Sequence, residues 1–274
     1  ESILTGYKRR KMSALVNSLQ SMVELKEPVE VIAEACFSGV DEIIEIFCEP
    51  NGKFPHNPEP LPEHLGELAR EVNRLGANLG IVVDPDVDRL AFVCEDGEMF
   101  GEEYTLVAVA DYILKNKQGS TVSNLSSTKA LRDVTQKYGC NYFASAVGEL
   151  NVVETMKAQN AVIGGEGNGG IIYPELHYGR DALVGIALFL THLAKSGKSI
   201  RALRMSYPNY FIAKNKIELD GDINLDMVFQ KMEEKYKKQP INKVDGLKIE
   251  FDDEWVHLRR SNTEPIIRVY AESQ

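Results

Sequence analysis

The 274-residue chain carries 31 Lys and Arg against 41 Asp and Glu, a formal charge of −10, with 43% hydrophobic and 26% charged residues. These values describe an ordinary globular protein, and the length predicts two or three domains rather than one core. The acidic balance excludes a general basic field of the kind that attracts nucleic-acid backbones or anionic membranes, so an anionic substrate needs a local basic pocket.

The first 38 residues carry a basic run at 8–11 and a predicted helix over 29–37. From residue 39 the pattern alternates. Residues 42–48 (EIIEIFC) read as a strand, followed by a proline-dense loop over 50–62. Residues 65–75 have helical spacing, and 79–83 form a continuous apolar run of the kind found in buried parallel strands. A strand over 90–94 is followed by a turn at 95–98 that closes a hairpin. Residues 104–114 read as helix, 121–124 as strand, and 127–138 as helix with Ser126 or Ser127 as N-cap. Residues 161–163 lead into a glycine-rich stretch, and 181–195 form a strong helix. This βαβ alternation predicts a mostly parallel sheet covered on both faces. After residue 206 the character changes. A helix over 224–238, a hairpin joining 247–251 to 255–258, and a last strand over 266–271 describe a small α+β domain.

Four cysteines (Cys36, Cys48, Cys94, Cys140) stand far apart, with no C-x-x-C and no zinc spacing. They are expected to be reduced and mostly buried. The longest apolar stretch, 182–194, is interrupted by Thr191 and His192 and is too short to span a bilayer. No signal-peptide pattern is read, and a cytoplasmic location is expected.

Three segments carry chemistry. In Asp84-Pro85-Asp86-Val87-Asp88-Arg89, three carboxylates occupy alternate positions directly after an apolar strand. An extended segment points them the same way, their mutual repulsion invites a cation, and oxygen ligands suit Mg²⁺. A solvated acidic turn is the bland alternative. A calcium loop would add Glu95 at its twelfth position but needs glycine where Arg89 stands, and a haloacid-dehalogenase-type phosphatase would use Asp84 as nucleophile but expects Thr or Val where Asp88 stands.

The segment from Arg259 to Arg268 gathers Arg259, Arg260, Ser261, Asn262, Thr263, Pro265 and Arg268 between two strands. Guanidiniums with clustered short donors suit phosphate, whereas a surface hairpin with incidental arginines is the alternative. Residues 164–170 contain five glycines in seven around Glu166 and Asn168. Such a loop lets backbone approach a ligand and offers groups for sugar hydroxyls, or else it is simply a flexible connection.

In this order and spacing, the three segments resemble those of the α-D-phosphohexomutase superfamily. Asp84 to Arg89 is similar to its D-P-D-G-D-R metal loop, with Val87 in place of glycine. Residues 165–170 are similar to its G-E-x-S-G-H sugar loop, with Asn168 and Gly170 in place of Ser and His. Residues 259–265 are similar to its R-x-S-[GN]-T-E-P phosphate loop. The resemblance implies two three-layer α/β units with mixed, mostly parallel sheets plus a small C-terminal α+β domain, divided at 1–99, 100–202 and 203–274. It implies Mg²⁺ on Asp84, Asp86 and Asp88, with Arg89 beside the transferring phosphoryl. Glu166 and Asn168 would hold the sugar, and Arg259, Ser261, Asn262, Thr263 and Arg268 would clamp the non-reacting phosphate. The implied reaction moves a phosphoryl between the C6 and C1 oxygens of a glucose, mannose or glucosamine phosphate through a 1,6-bisphosphate. The family's phosphoserine lies in a first-domain loop resembling T-A-S-H-N-P, which these residues lack. Residues 54–58 (FPHNP) contain H-N-P without the serine and read as a decoy. The chain alone is therefore expected to bind Mg²⁺ and sugar phosphates with little or no mutase turnover. A non-catalytic sugar-phosphate-binding or regulatory relative is the alternative.

Overall fold

A computed structural model describes residues 42–48, 52–218, 224–261 and 266–274. The basic run, the helix expected over 29–37, Cys36, Asn262 and Thr263 lie outside these described residues.

The first unit is represented by helix α1 (Gly66–Leu75), stopped by Gly76 in the left-handed conformation, and by strands β1 (Leu79–Val83) and β2 (Leu90–Cys94). The strands pair antiparallel with Val83 opposite Leu90, so residues 84–89 are the turn of a hairpin. This corrects the parallel-strand reading of 79–83. Only β2 is fully buried, while β1 keeps Ile81 partly exposed. Residues 42–48 form no strand either. Ile43, Ile44 and Phe47 are exposed, and among the described residues no strand lies alongside to complete the ladder.

The middle unit contains helix α2 (Glu102–Asn116), β3 (Thr121–Asn124), α3 (Ala130–Lys137), β4 (Tyr142–Ser145), α4 (Glu149–Ala158), β5 (Ile163–Glu166), β6 (Gly170–Ile172), α5 (Ala182–Ser196) and α6 (Ile200–Arg204). Its sheet runs β4-β3-β5-β6, with β3, β4 and β5 parallel and β6 antiparallel. Helix α5 starts where the Asp181 carboxylate accepts from the Val184 amide at 3.0 Å. Helix α3 starts later than its sequence suggests. Ser126 and Ser127 are drawn into the loop by Asn124, whose Oδ1 accepts from the Ser126 amide and the Ser127 hydroxyl, and the Thr128 hydroxyl accepts from the Ala130 amide instead.

Strand β2 belongs to the middle unit's core. Phe92 stacks on Phe189 of α5 with ring centroids 3.9 Å apart, and Phe100 meets Phe189 edge-on at 5.0 Å. Aromatic contacts of this kind add to area burial and fix the hairpin against α2 and α5. The last unit is a five-stranded antiparallel sheet, β7-β11-β10-β9-β8, formed by β7 (Phe211–Glu218), β8 (Ile241–Asn242), β9 (Leu247–Glu250), β10 (Trp255–Arg260) and β11 (Ile266–Ser273). It carries helix α7 (Leu225–Lys235), capped by Asn224. Among the described residues, no helix is long and apolar enough to cross a membrane.

Candidate active site

Three turns converge from the elements above. The first is 84–89, at the tip of the β1–β2 hairpin. The Asp84 side chain is buried: its Oδ1 accepts from the Asp88 and Arg89 amides at 3.0 Å each, and its Oδ2 accepts from Arg89 Nε at 2.6 Å. Burial alone would raise its pKa, but these hydrogen bonds outweigh it and keep the group below the ordinary carboxylate range. The turn closes through Val87, whose φ of 59° lies in the left-handed region that a β-branched residue rarely adopts. The glycine of the similar metal loop occupies this very position.

One carboxylate oxygen from each of Asp84, Asp86 and Asp88 lies within 4.8 Å of the others. Asp86 is exposed, whereas Asp88 Oδ1 is buried and has no hydrogen-bond partner, with Arg89 Nε the nearby cation at 3.7 Å. Burial, together with the Asp84 and Asp86 carboxylates, pushes Asp88 up to about 6 against the pull of Arg180. Clustered hard oxygen donors with one buried oxygen left unsatisfied fit a divalent cation. The rival readings meet obstacles. Glu95 stands beyond the opposite end of β2 and accepts from the Arg201 amide, away from a calcium loop at 84–89. Asp84 is enclosed and held by Arg89, which denies it the access a nucleophile needs. Arg89 itself spans Asp84 and Glu59, the latter at 2.9 Å from the proline-dense loop.

The second turn joins β5 to β6, so the glycine stretch is a hairpin rather than a flexible connection. Gly169, at φ 86°, accepts the Leu90 amide through its carbonyl at 3.2 Å, which ties this turn to the strand leaving the 84–89 turn. Glu166 is buried. Its Oε1 accepts from Asn124 Nδ2 at 2.8 Å and the Gly148 amide at 3.1 Å, and its Oε2 faces Arg180 Nη1 at 3.0 Å. Asn168 turns its Oδ1 to the Gly170 amide at 3.2 Å.

The third site is the end of the β10–β11 hairpin. Register places Trp255 opposite Glu272, His257 opposite Tyr270, and Arg259 opposite Arg268. With a side-chain period of two, these pairs form one row on one face. The row meets the middle unit: Glu272 Oε1 accepts the Lys129 amide at 2.8 Å, and His257 Nδ1 lies 3.0 Å from the Ser126 hydroxyl. His257 Nε2 donates to the Asp245 carbonyl at 2.6 Å, so Nδ1 accepts from Ser126. Burial holds His257 below its ordinary pKa. Arg259 continues this row with its Nε buried and lacking a hydrogen bond, the Asp245 carboxylate being 3.5 Å away. Two arginines directly opposite one another repel, and an anion between them relieves the repulsion. Ser261 closes the loop by donating its amide to the Ile266 carbonyl at 3.0 Å.

A continuous line of contacts thus runs from strand β10 to the 84–89 turn: His257, Ser126, Asn124, Glu166, Arg180, Asp88. Sequence reading missed Arg180, Asn124, Ser126, Glu149 and Glu59 as members of this assembly. Arg180 did leave a signal, because it is the sole Lys or Arg among residues 158–194 and directly precedes the cap of α5.

Comparison with known proteins agrees with this architecture. Residues 25–97 match the phosphoglucomutase/phosphomannomutase alpha/beta/alpha domain II, 101–210 match domain III, and 223–274 match the C-terminal domain of the same family. A phosphoglucomutase/phosphomannomutase of Thermococcus kodakarensis is 36% identical over 237 residues, 85% of this chain and 52% of the relative. A probable phosphoglucosamine mutase of Methanopyrus kandleri is 32% identical over 238 residues, 85% of this chain and 52% of that protein. A crystal structure of a family protein from Burkholderia thailandensis superposes with a TM-score of 0.75 at 26% identity, covering 85% of this chain and 51% of the other. The chain belongs to the phosphoglucomutase/phosphomannomutase family, within the α-D-phosphohexomutase superfamily. It spans about half the length of the curated relatives it matches.

Proposed function

We propose that the protein acts in Mg²⁺-dependent transfer of a phosphoryl group between the C1 and C6 oxygens of a hexose phosphate. In this reading the chain supplies the cation site, the sugar-orienting carboxylate and the clamp for the distant phosphate. The observation that carries the proposal is the single line of contacts joining Asp88, Glu166 and the Arg259 strand, because the reaction needs all three groups around one ligand. Residues 1–99, 100–202 and 203–274 would be the units bearing the metal, sugar and phosphate loops.

A divalent cation on Asp84, Asp86 and Asp88 would draw charge from the transferring phosphoryl. Arg89, held in the same turn by Asp84 and Glu59, places a fixed positive charge beside it. Glu166 is aimed by Asn124 and the Gly148 amide, so it can accept from sugar hydroxyls without reorganising. Asn168 would help seat the sugar, and Arg259 and Arg268, with Ser261, Asn262 and Thr263, would bind the non-reacting phosphate. Its fixed position then decides which end of the sugar faces the cation. The chain alone, without a phosphoserine loop among its residues, is proposed to bind rather than turn over hexose phosphates.

Calorimetric titration with glucose, mannose and glucosamine 6-phosphates in Mg²⁺ tests the reading. Asp88→Asn and Arg259→Gln should each weaken binding about tenfold or more, the loss of one charged hydrogen-bond or ligand interaction. Unchanged affinity in both variants would refute it.

A further inference from the structure

The Arg180 side chain is only 18% exposed and faces three carboxylates from three different segments. Nη2 pairs with Asp88 in the metal-loop turn, Nη1 lies 3.0 Å from Glu166 in the glycine hairpin, and Nε is 3.5 Å from Glu149 at the start of α4, with no hydrogen bond of its own. The backbone fixes the side chain further, since the Arg180 amide donates to Glu149 at 2.9 Å. Gly170 also leaves room for its aliphatic stem: a Cβ there would lie 2.4 Å from Arg180 Cδ.

Resting on the function proposed above, we propose that Arg180 is a positioning residue that holds Asp88 and Glu166 in register and couples cation occupancy to hexose-phosphate binding. The planar guanidinium presents its N–H groups to two carboxylates in a fixed fork, whereas an ammonium is a point charge whose donors rotate. Asp88 offers its oxygens in opposite senses: Oδ2 is taken by Arg180, and Oδ1 is buried and free of hydrogen bonds. With a cation held at Oδ1, the Asp88 carboxylate would carry less charge and Oδ2 would hold Nη2 more loosely. That N–H then becomes available to a substrate oxygen while Nη1 keeps Glu166 aimed. Sugar phosphate binding therefore strengthens when the cation is present, and by linkage the cation binds more tightly when sugar phosphate is present.

The test is the ratio of affinities for glucose, mannose and glucosamine 6-phosphate, each measured by calorimetry on the 274-residue chain in Mg²⁺ and in EDTA. The wild-type ratio is expected to be roughly tenfold for the bound sugar. Arg180→Met should bring it to about one, and Arg180→Lys, which keeps the charge without the fixed fork, should recover it only in part. Melting curves verify folding, and if Arg180→Met does not fold, the Arg180→Lys ratio decides. A wild-type ratio of one, or an undiminished ratio in either folded variant, overturns the proposal. A wild-type chain that binds none of the three sugars refutes the proposed function itself, and the coupling with it.

Discussion

Gly169→Ala tests whether Gly169 is a fitted spacer between the 164–170 hairpin and the strand that leaves the 84–89 turn. At φ 86° an alanine carries about 1–2 kcal/mol of left-handed strain. Reduced freedom of the unfolded chain offsets about 0.4–1 kcal/mol of that. The decisive part is steric, because the new Cβ would lie 2.1 Å from the Leu90 carbonyl oxygen and 2.9 Å from Leu90 N. Both belong to the backbone of a fully buried strand, so the hairpin must move away from it. That movement breaks the 3.2 Å bond from the Leu90 amide to the Gly169 carbonyl and strands a buried donor, at about 1–3 kcal/mol. The expected loss is about 3 kcal/mol or more. Gly139→Ala is the control: its φ of 67° is also left-handed, yet nothing lies within 4 Å of a Cβ there, so about 1 kcal/mol is expected. Urea unfolding of both variants at neutral pH measures the difference, which should be about 2 kcal/mol. Equal losses within about 0.5 kcal/mol would refute the fitted-spacer account and restore the flexible-connection reading of residues 164–170.

Two other perturbations probe the 84–89 turn and the inter-unit contact. Val87→Gly relieves about 1–2 kcal/mol of left-handed strain, less about 0.5–1 kcal/mol for glycine's unfolded freedom. Both variants lose the side-chain contacts of Val87 with the core, but Val87→Ala keeps the strain, so the glycine variant should melt higher than the alanine variant, and the reverse order would contradict the turn's geometry. His257 is held below its ordinary pKa by burial, then by the nearby Lys248 and Arg259 charges, with Asp245 opposing. The unfolded chain therefore takes up a proton first, so this contribution to stability is present above pH about 6.5 and is lost as pH falls through the lower folded pKa. His257→Gln should narrow the gap in urea midpoint to wild type as pH falls from about 7.5 to 5, and a constant gap would refute it.

The local chemistry of the site was legible because each loop concentrates its groups within a few residues. Asp84, Asp86 and Asp88 share one turn and do cluster, and the Glu166 and Arg259 segments lie at strand ends as their flanking patterns imply. In the middle unit α2, β3, α3 and α5 were legible from their apolar periods, whereas β4, α4, β6 and α6 were not read. Pairing was not legible. Residues 79–83 read as a parallel strand because apolar runs do not encode direction, and the hairpin with 90–94 comes from the turn that Asp84 closes with its own carboxylate. The 42–48 run has strand composition, but composition supplies no neighbouring backbone. Arg180, Asn124 and Ser126 escaped notice because their roles arise from contacts across 92, 42 and 131 positions respectively. Ser126 looked like a helix cap because its preference for backbone hydrogen bonds is real; Asn124 and His257 claim its polar groups first.

The most direct measurement is a crystal structure of the chain grown with MgCl₂ and a hexose 6-phosphate that calorimetry has shown to bind. The expected result is a cation on Asp84, Asp86 and Asp88 at about 2.0–2.1 Å, with the sugar's phosphate between Arg259 and Arg268 and its hydroxyls on Glu166. A cation bound away from the three aspartates, or a phosphate bound away from the two arginines, would contradict it.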